Sequence, residues 1–430
     1  MAIMTKEIPV VRTEKRLINP LIIIGILFFI FGFVTWLSAV LIPYLQIACE
    51  LNNFQSYLVA FAFYISYFVM GVPSGWLLKT TGFKKGMSLG LLLVAAGSLL
   101  FIPAALNREY TVFLLGLFVQ GAGLTVLQTA SNPYVTILGP RESAARRISF
   151  MGICNGIAGA IAPVILGAVI LNDADALKSK LGSLNAVQKI TELNDLAGKV
   201  ILPYSIITLV LIVLSAVIYF SALPEIDEED LDEGTNNLEK STKTSVFQFP
   251  HLIIGVLVLF GYTGVEVIAG NSIIGYGAYQ GIPLTMAKFF TSFTLISMLA
   301  GYLIGILCIP RYFSQETALK SSAALGILFT LLAIFSTGLT SVVFVALLGL
   351  ANSLMWPSIW PLAIAGLGKF TKTGSSLLVM AISGAAVLPL LYGYLADHMN
   401  AQQAYWMVIP CYLGVAYYAM AGHKVGKKNS

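Results

Sequence analysis

The sequence predicts an all-α membrane protein of twelve transmembrane helices arranged as two six-helix halves. Three observations carry this. Twelve stretches are apolar and long enough to cross a bilayer, which takes about 20 residues of helix. The chain is 57% hydrophobic and only 10% charged, against roughly 25% charged residues in soluble domains. A proline–glycine pattern in the fifth stretch, Gly159-Ala-Ile-Ala-Pro163-Val-Ile-Leu-Gly167, returns in the eleventh as Ala385-Ala-Val-Leu-Pro389-Leu-Leu-Tyr-Gly393. Such internal repetition marks two parallel repeats with a site at their interface.

Spans 1 to 6 are expected at Pro20–Ala48, Phe54–Leu78, Met87–Leu106, Val112–Leu138, Ile148–Leu171 and Val200–Leu223. Spans 7 to 12 are expected at His251–Tyr276, Phe289–Ile309, Ser321–Leu339, Val342–Leu367, Gly374–Ala396 and Ala404–Ala421. The first follows a polar stretch without an evident cleavage site and is too long for a signal-peptide core. Span 5 and span 11 are dense in glycine, which allows close helix approach. Between spans 5 and 6, residues 172–199 form a polar loop rich in Ala, Leu and Lys that could fold as a surface helix. After span 6 comes an acidic run, Glu225 to Glu233, read as a solvated tether. The domains are therefore residues 1–223 as the N-terminal bundle, 224–249 as a cytoplasmic linker and 250–430 as the C-terminal bundle.

Placing both termini in the cytoplasm puts 19 of the 25 Lys and Arg residues on that side, the excess expected of inner loops. The six left outside are Arg108, Lys178, Lys180, Lys189, Lys199 and Lys288. The net charge of +5 is spread over short loops and does not point to nucleic acid. The four cysteines lack metal-ligand spacing and suggest no disulfide framework. No metal or cofactor site is expected.

Polar side chains inside the spans mark a cavity, because hydrogen-bonding groups in lipid need partners or water. Glu266 is the only Asp, Glu, Lys or Arg within a span. A charge at the bilayer centre costs about 2.5–3.5 kcal/mol on the mildest scale, so a retained carboxyl points to a substrate or ion pathway. Otherwise it is a structural group tying two helices together. Span 7 carries Tyr262, Glu266 and Gly270 at helical spacing, with Asn271 beside them. In span 4, Gln120, Gln128 and Asn132 fall within an arc of about 120°. Span 10 carries Asn352, Trp356 and Trp360 at i, i+4 and i+8. Span 1 offers Thr35, Trp36 and Ser38, and span 5 offers Asn155 between glycines. Amides, one carboxyl and tryptophans together suit a sugar, whose hydroxyls need donors and acceptors and whose C–H faces stack on rings. The alternative for the amides is helix–helix hydrogen bonding, and for the tryptophans an interfacial or packing role.

The segment Leu127-Gln128-Thr-Ala-Ser-Asn132-Pro133-Tyr134-Val-Thr136 resembles the fucose/glucose-galactose/hexuronate symporter family of the major facilitator superfamily. The resemblance continues in Phe28-Phe29 to Leu41-Ile42-Pro43, in Leu51-Asn52-Asn53-Phe54-Gln55, and in Tyr262-Thr-Gly264-Val-Glu266. It covers Trp356-Pro357 and Lys372-Thr-Gly374-Ser375-Ser376 as well, and is strongest to the bacterial glucose/galactose branch. Gly75-Trp-Leu-Leu-Lys79-Thr-Thr-Gly82-Phe-Lys84-Lys85 resembles the superfamily's loop motif, with Lys79 where an acid is usual.

The resemblance implies a multi-pass carrier of the bacterial inner membrane, working as a monomer among lipids by alternating access. It would move a hexose of the glucose/galactose type, coupled to Na+ or H+. Family proton symporters carry an acid on span 1 and a Glu on span 4; here those positions fall on Ser38-Ala39 and Gln128. Glu266 is then the coupling-ion candidate. The expected substrate-binding residues are Gln128, Asn132, Asn155, Trp356, Glu266, Trp36, Asn352, Trp360 and Asn271. The alternatives are an uncoupled hexose facilitator and a fucose or amino-sugar symporter. From other classes come a proton-driven multidrug exporter and a non-transporting membrane sensor. An enzyme is disfavoured, because the spans hold no catalytic His/Cys/Asp cluster.

Overall fold

The computed structural model describes residues 20–137, 144–172, 174–181, 183–221, 223, 244–309, 312, 314–367 and 370–426. Residues 20, 132–137, 144–149, 178, 371 and 372 are described by backbone alone. The acidic run of the linker and the arginine at 141 lie outside the described residues.

Helices begin where the sequence supplies partners for the free N–H groups of a first turn. The Asn52 side chain accepts from Gln55 N, and Gln55 answers by accepting from Asn52 N, so span 2 starts at Asn53 with a capping box. Ser314 caps span 9 in the simpler way. Eleven helical stretches among the described residues are long and apolar enough to cross a membrane. The twelfth is a 3-10 turn over Gln403–Met407 that runs into the helix Val408–Met420. Every regular element described is a helix.

Five spans are interrupted, span 3 at Leu100 and span 7 at Ser272 among them. Span 1 is Pro20–Trp36 and Ser38–Ala48, broken at Leu37. There the Ser38 hydroxyl donates to Thr35 O at 3.0 Å, a back-bond that bends helices. Span 10 is Gly338–Ser353 and Met355–Ile364. Pro357 has no N–H for Ser353 O and its ring crowds that carbonyl, so the first helix ends there. The expected single stripe of Asn352, Trp356 and Trp360 is thereby split in two. Span 11 is Thr371–Met380, a 3-10 turn Ala381–Ser383 and Gly384–His398.

The polar loop after span 5 forms two helices, Ala174–Leu181 and Ala186–Gly198. Ion pairs Lys180–Glu192 and Lys189–Glu50 tie them to each other and to the end of span 1. Tyr44 OH donates to Leu196 O and Ala197 O, at 2.9 and 2.8 Å.

Close backbone approach holds the bundles together. A Cβ on Gly32 would lie 2.0 Å from Asn155 O, so spans 1 and 5 touch main chain to main chain. A Cβ on Gly384 would lie 1.8 Å from Phe260 O, between spans 7 and 11. Gly384→Ala is therefore expected to destabilise the protein by about 1–3 kcal/mol, the usual cost of overpacking. A thermal-unfolding midpoint in detergent equal to that of the parent protein would show that the spans part freely.

The repeated pattern of spans 5 and 11 lies on the seam between the halves. Its last glycine in span 5, Gly167, faces span 8, where a Cβ would sit 3.3 Å from Lys288 Cβ. Its counterpart Gly393 faces span 2, where a Cβ would sit 2.5 Å from Tyr57 Cδ2. Each repeat thus places its closing glycine against the other half.

Candidate functional site

Glu266 projects from span 7 and is partly exposed, although Tyr262 one turn earlier is 1% exposed. The Tyr262 hydroxyl interacts with the Glu266 carboxyl. Tyr302 of span 8, Tyr412 of span 12 and Tyr64 of span 2 share its electrostatic surroundings. Tyr64 belongs to the other half, so the carboxyl faces the seam. There the Tyr64 and Tyr67 rings stack with centroids 6.2 Å apart. Tyr67 OH in turn accepts from Gln128 Nε2 at 2.9 Å. Glu266, Tyr64, Tyr67 and Gln128 thus bring polar side chains of spans 7, 2 and 4 into one region, joined at one point by the Gln128–Tyr67 hydrogen bond.

The other expected residues take distinct places. Asn155 is partly exposed on span 5. Trp356 and Trp360 stack on each other at 5.2 Å and are both partly exposed. Asn352 is fully buried, and its Oδ1 accepts from Tyr412 OH at 3.0 Å, so it positions a tyrosine near Glu266. The side chain of Asn132 lies outside the described residues. Gln120, on the same predicted arc, turns away and donates to Ser98 Oγ of span 3 at 2.8 Å. There the helix–helix alternative holds.

Trp36 is 7% exposed, and its ring fits between two glycines of opposite halves. A Cβ on Gly159 would lie 2.5 Å from Trp36 Cδ1, and one on Gly270 2.2 Å from Trp36 Cζ3. With Leu295 and Met298 it forms a small cluster apart from the main core. Beside it, Asn271 Nδ2 donates to Ser38 Oγ at 3.1 Å, again from one half to the other.

The face opposite the termini is closed by two matching clamps. Asp397, in the last turn of span 11, accepts from the backbone N–H of Asn53 at 3.0 Å and of Phe54 at 2.7 Å. It also accepts from Asn53 Nδ2 at 2.7 Å. Asp175, after span 5, accepts from the backbone N–H of Leu284 and Thr285, both at 2.9 Å. In each case a carboxylate of one half takes the first two N–H groups of a helical segment in the other half: the long span 2, where the helix dipole favours negative charge, and the single turn Leu284–Ala287. Lys288 Nζ adds a bond to Asn172 Oδ1 at 3.0 Å, and Tyr57 meets Tyr392 edge to face at 5.5 Å.

Sequence reasoning missed the tyrosines of span 2 and both clamps. The tyrosines had a signal: Tyr57, Tyr64 and Tyr67 stand at i, i+7 and i+10, one face of a helix with polar tips.

A twelve-span bundle with a polar path on the seam of two halves, shut at one face by polar bonds between them, defines a membrane transporter. The chain matches the Major Facilitator Superfamily over residues 24–388 and belongs to it. It is 35% identical over 402 residues to the glucose/galactose transporter of Brucella abortus biovar 1 (strain 9-941), covering 93% of each chain. It is 31% identical over 389 residues to the L-fucose-proton symporter of Escherichia coli (strain K12), covering 89% of this chain and 88% of that one. A crystal structure of the transporter FucP in the outward conformation superposes with a TM-score of 0.70 at 28% identity, over 96% of this chain and 99% of that one. The protein is thus a multi-pass transporter of the inner membrane, not an enzyme.

Proposed function

We propose that this protein carries a hexose of the glucose/galactose type by alternating access, coupled to a cation through Glu266. The observation that carries the reading is the gathering of Glu266, Tyr64, Tyr67 and Gln128 from both halves at the seam. Identity above 30% along most of the chain to a glucose/galactose transporter and an L-fucose-proton symporter supports the choice of substrate. Gln128, Asn132 and Asn155 bind sugar hydroxyls, and the Trp356–Trp360 pair offers a ring face. Asn352 acts through Tyr412. Trp36 and Asn271 form the gate between the path and the clamped face.

With both termini in the cytoplasm the clamped face is periplasmic, and this conformation is closed to the outside. Residues 1–223 and 250–430 then rock as bodies about the substrate, joined by the linker 224–249. Arg146, Arg147, Lys84 and Lys85 lie on the inner side and serve as latches or lipid-phosphate contacts. The carrier works as a monomer.

Glu266 stands among tyrosine hydroxyls. The likeness to an L-fucose-proton symporter favours a proton over Na+. The uncoupled alternative draws on Ala39 and Gln128, neither of which can exchange a proton. Labelled D-glucose and D-galactose uptake into proteoliposomes separates these readings. The expected result is accumulation under an inward proton gradient, not under a Na+ gradient. Counterflow without accumulation under either gradient would make the protein a facilitator, and no hexose flux at all would sink the substrate reading.

A further inference from the structure

A cavity of about 240 Å3 lies on the seam at the clamped face, between the ends of spans 1, 2, 7 and 11. Polar tips from Gln46, Asn53, Tyr57, Asn271, Tyr279 and Asn400 line it. No Asp, Glu, Lys, Arg or His does so among the described residues. Asn271 belongs both to this wall and to the gate. Its Nδ2 is committed to Ser38, while its Oδ1, on a side chain 1% exposed, has no hydrogen-bond partner. A buried acceptor left without a donor costs about 1–3 kcal/mol, and the residue that carries this one lines the cavity.

We infer that this cavity is an outer docking subsite for a neutral, polyhydroxylated solute of monosaccharide size, with Asn271 Oδ1 accepting from one of its hydroxyls. The ligand must donate, because the orphan group is an acceptor. It carries no charge, because a carboxylate, phosphate or ammonium group would lose its hydration among amides and phenols, and the nearby Asp397 carboxylate is already taken up by the Asn53 and Phe54 donors. It is small: the volume falls below the roughly 300–1,000 Å3 of pockets for drug-sized ligands. Tyr279, 50% exposed on the wall, supplies aromatic surface for its C–H groups. A solute that recruits the Asn271 amide also acts on the Asn271–Ser38 bond, so arrival at the subsite bears on the gate to the central path. The inference rests on the hexose reading for the identity of the solute and adds a second stop on its route.

Gly275 offers the test. It is exposed on the cavity wall, and a Cβ there would meet nothing within 4 Å, so Gly275→Cys is tolerated sterically. Its labelling by a membrane-impermeant maleimide is followed in right-side-out vesicles, with the unsubstituted protein as control for the four native cysteines. D-Glucose or D-galactose at about four times its dissociation constant is expected to slow labelling about fivefold. The protection is expected to persist when Asn155→Ala and Trp356→Ala disable sugar binding in the central path, and to vanish with Asn271→Leu. D-Glucuronate and D-glucosamine are expected not to protect.

Absence of protection beside intact hexose flux would mean a water-filled cavity and overturn the subsite alone. Loss of protection in the Asn155→Ala, Trp356→Ala background would overturn it too, by tracing the signal to the central path. Equal protection by the charged sugars would overturn the assignment to a neutral solute. Absence of any hexose flux by the parent protein in the same vesicles would overturn both this inference and the hexose reading.

Discussion

Glu266→Gln is expected to abolish concentrative uptake while leaving sugar exchange in place. The amide keeps the shape of the carboxyl and can still meet the Tyr262 hydroxyl, so the helix and its tyrosine surroundings are preserved. It cannot bind and release a proton or balance a cation. No other Asp or Glu lies within a span, so no nearby acid can substitute. Accumulation ratios under a proton gradient should fall to equilibrium, a loss of tenfold or more in gradient-driven uptake, because about 1.4 kcal/mol of coupling already corresponds to tenfold. Counterflow, which needs only binding and rocking, should stay within about threefold of the parent, since a neutral side chain in the bilayer avoids the charge penalty. Unchanged concentrative uptake would sink the role of Glu266. Loss of counterflow as well would move Glu266 from coupling to substrate binding. Proteoliposome uptake and counterflow on the same preparation separate the two.

The number of spans and the division into halves were legible in the sequence, because hydropathy and the repeated Pro163/Gly167 and Pro389/Gly393 pattern are local properties. The partners of polar groups were less so. Gln120, Gln128 and Asn132 look alike on one arc, yet Gln120 is consumed by Ser98 of span 3 while Gln128 meets Tyr67 of span 2. Which neighbour covers a helix face depends on packing, not on spacing. Asn352 belonged with Trp356 and Trp360 by count, but the break before Met355 separates them. Pro357 and Pro361 stood in the sequence as the warning. The clamps were invisible for a different reason. Asp397 and the Asn53 amide are 344 residues apart, and an acid at a span end reads as an ordinary solvated residue until its partner is placed.

Removing both clamps, by Asp175→Asn with Asp397→Asn, is expected to shift the protein away from the conformation closed on this face. An exposed carboxylate at a helix N-terminus contributes about 0.3–1 kcal/mol and a partly buried one up to about 2. Asp397 is exposed and Asp175 partly buried, so the pair together supplies about 1–3 kcal/mol. That corresponds to about a 5–150-fold change in the ratio of open to closed states. Neither carboxylate touches the Glu266 region, so sugar affinity at the central path should change only through this ratio. The two sites cap the same helix positions from opposite halves, and the halves part as bodies. The shifts of the two single variants should therefore sum to that of the double. Spin labels at Leu106→Cys and Phe335→Cys, both on exposed positions at this face and remote from the clamps, report the separation of the halves once the four native cysteines are replaced. A longer-distance population that grows from parent to single to double variant is the expected result. An identical distance distribution in all of them would mean that Trp36 between its two glycines, with Tyr57 against Tyr392, holds the face shut without the carboxylates.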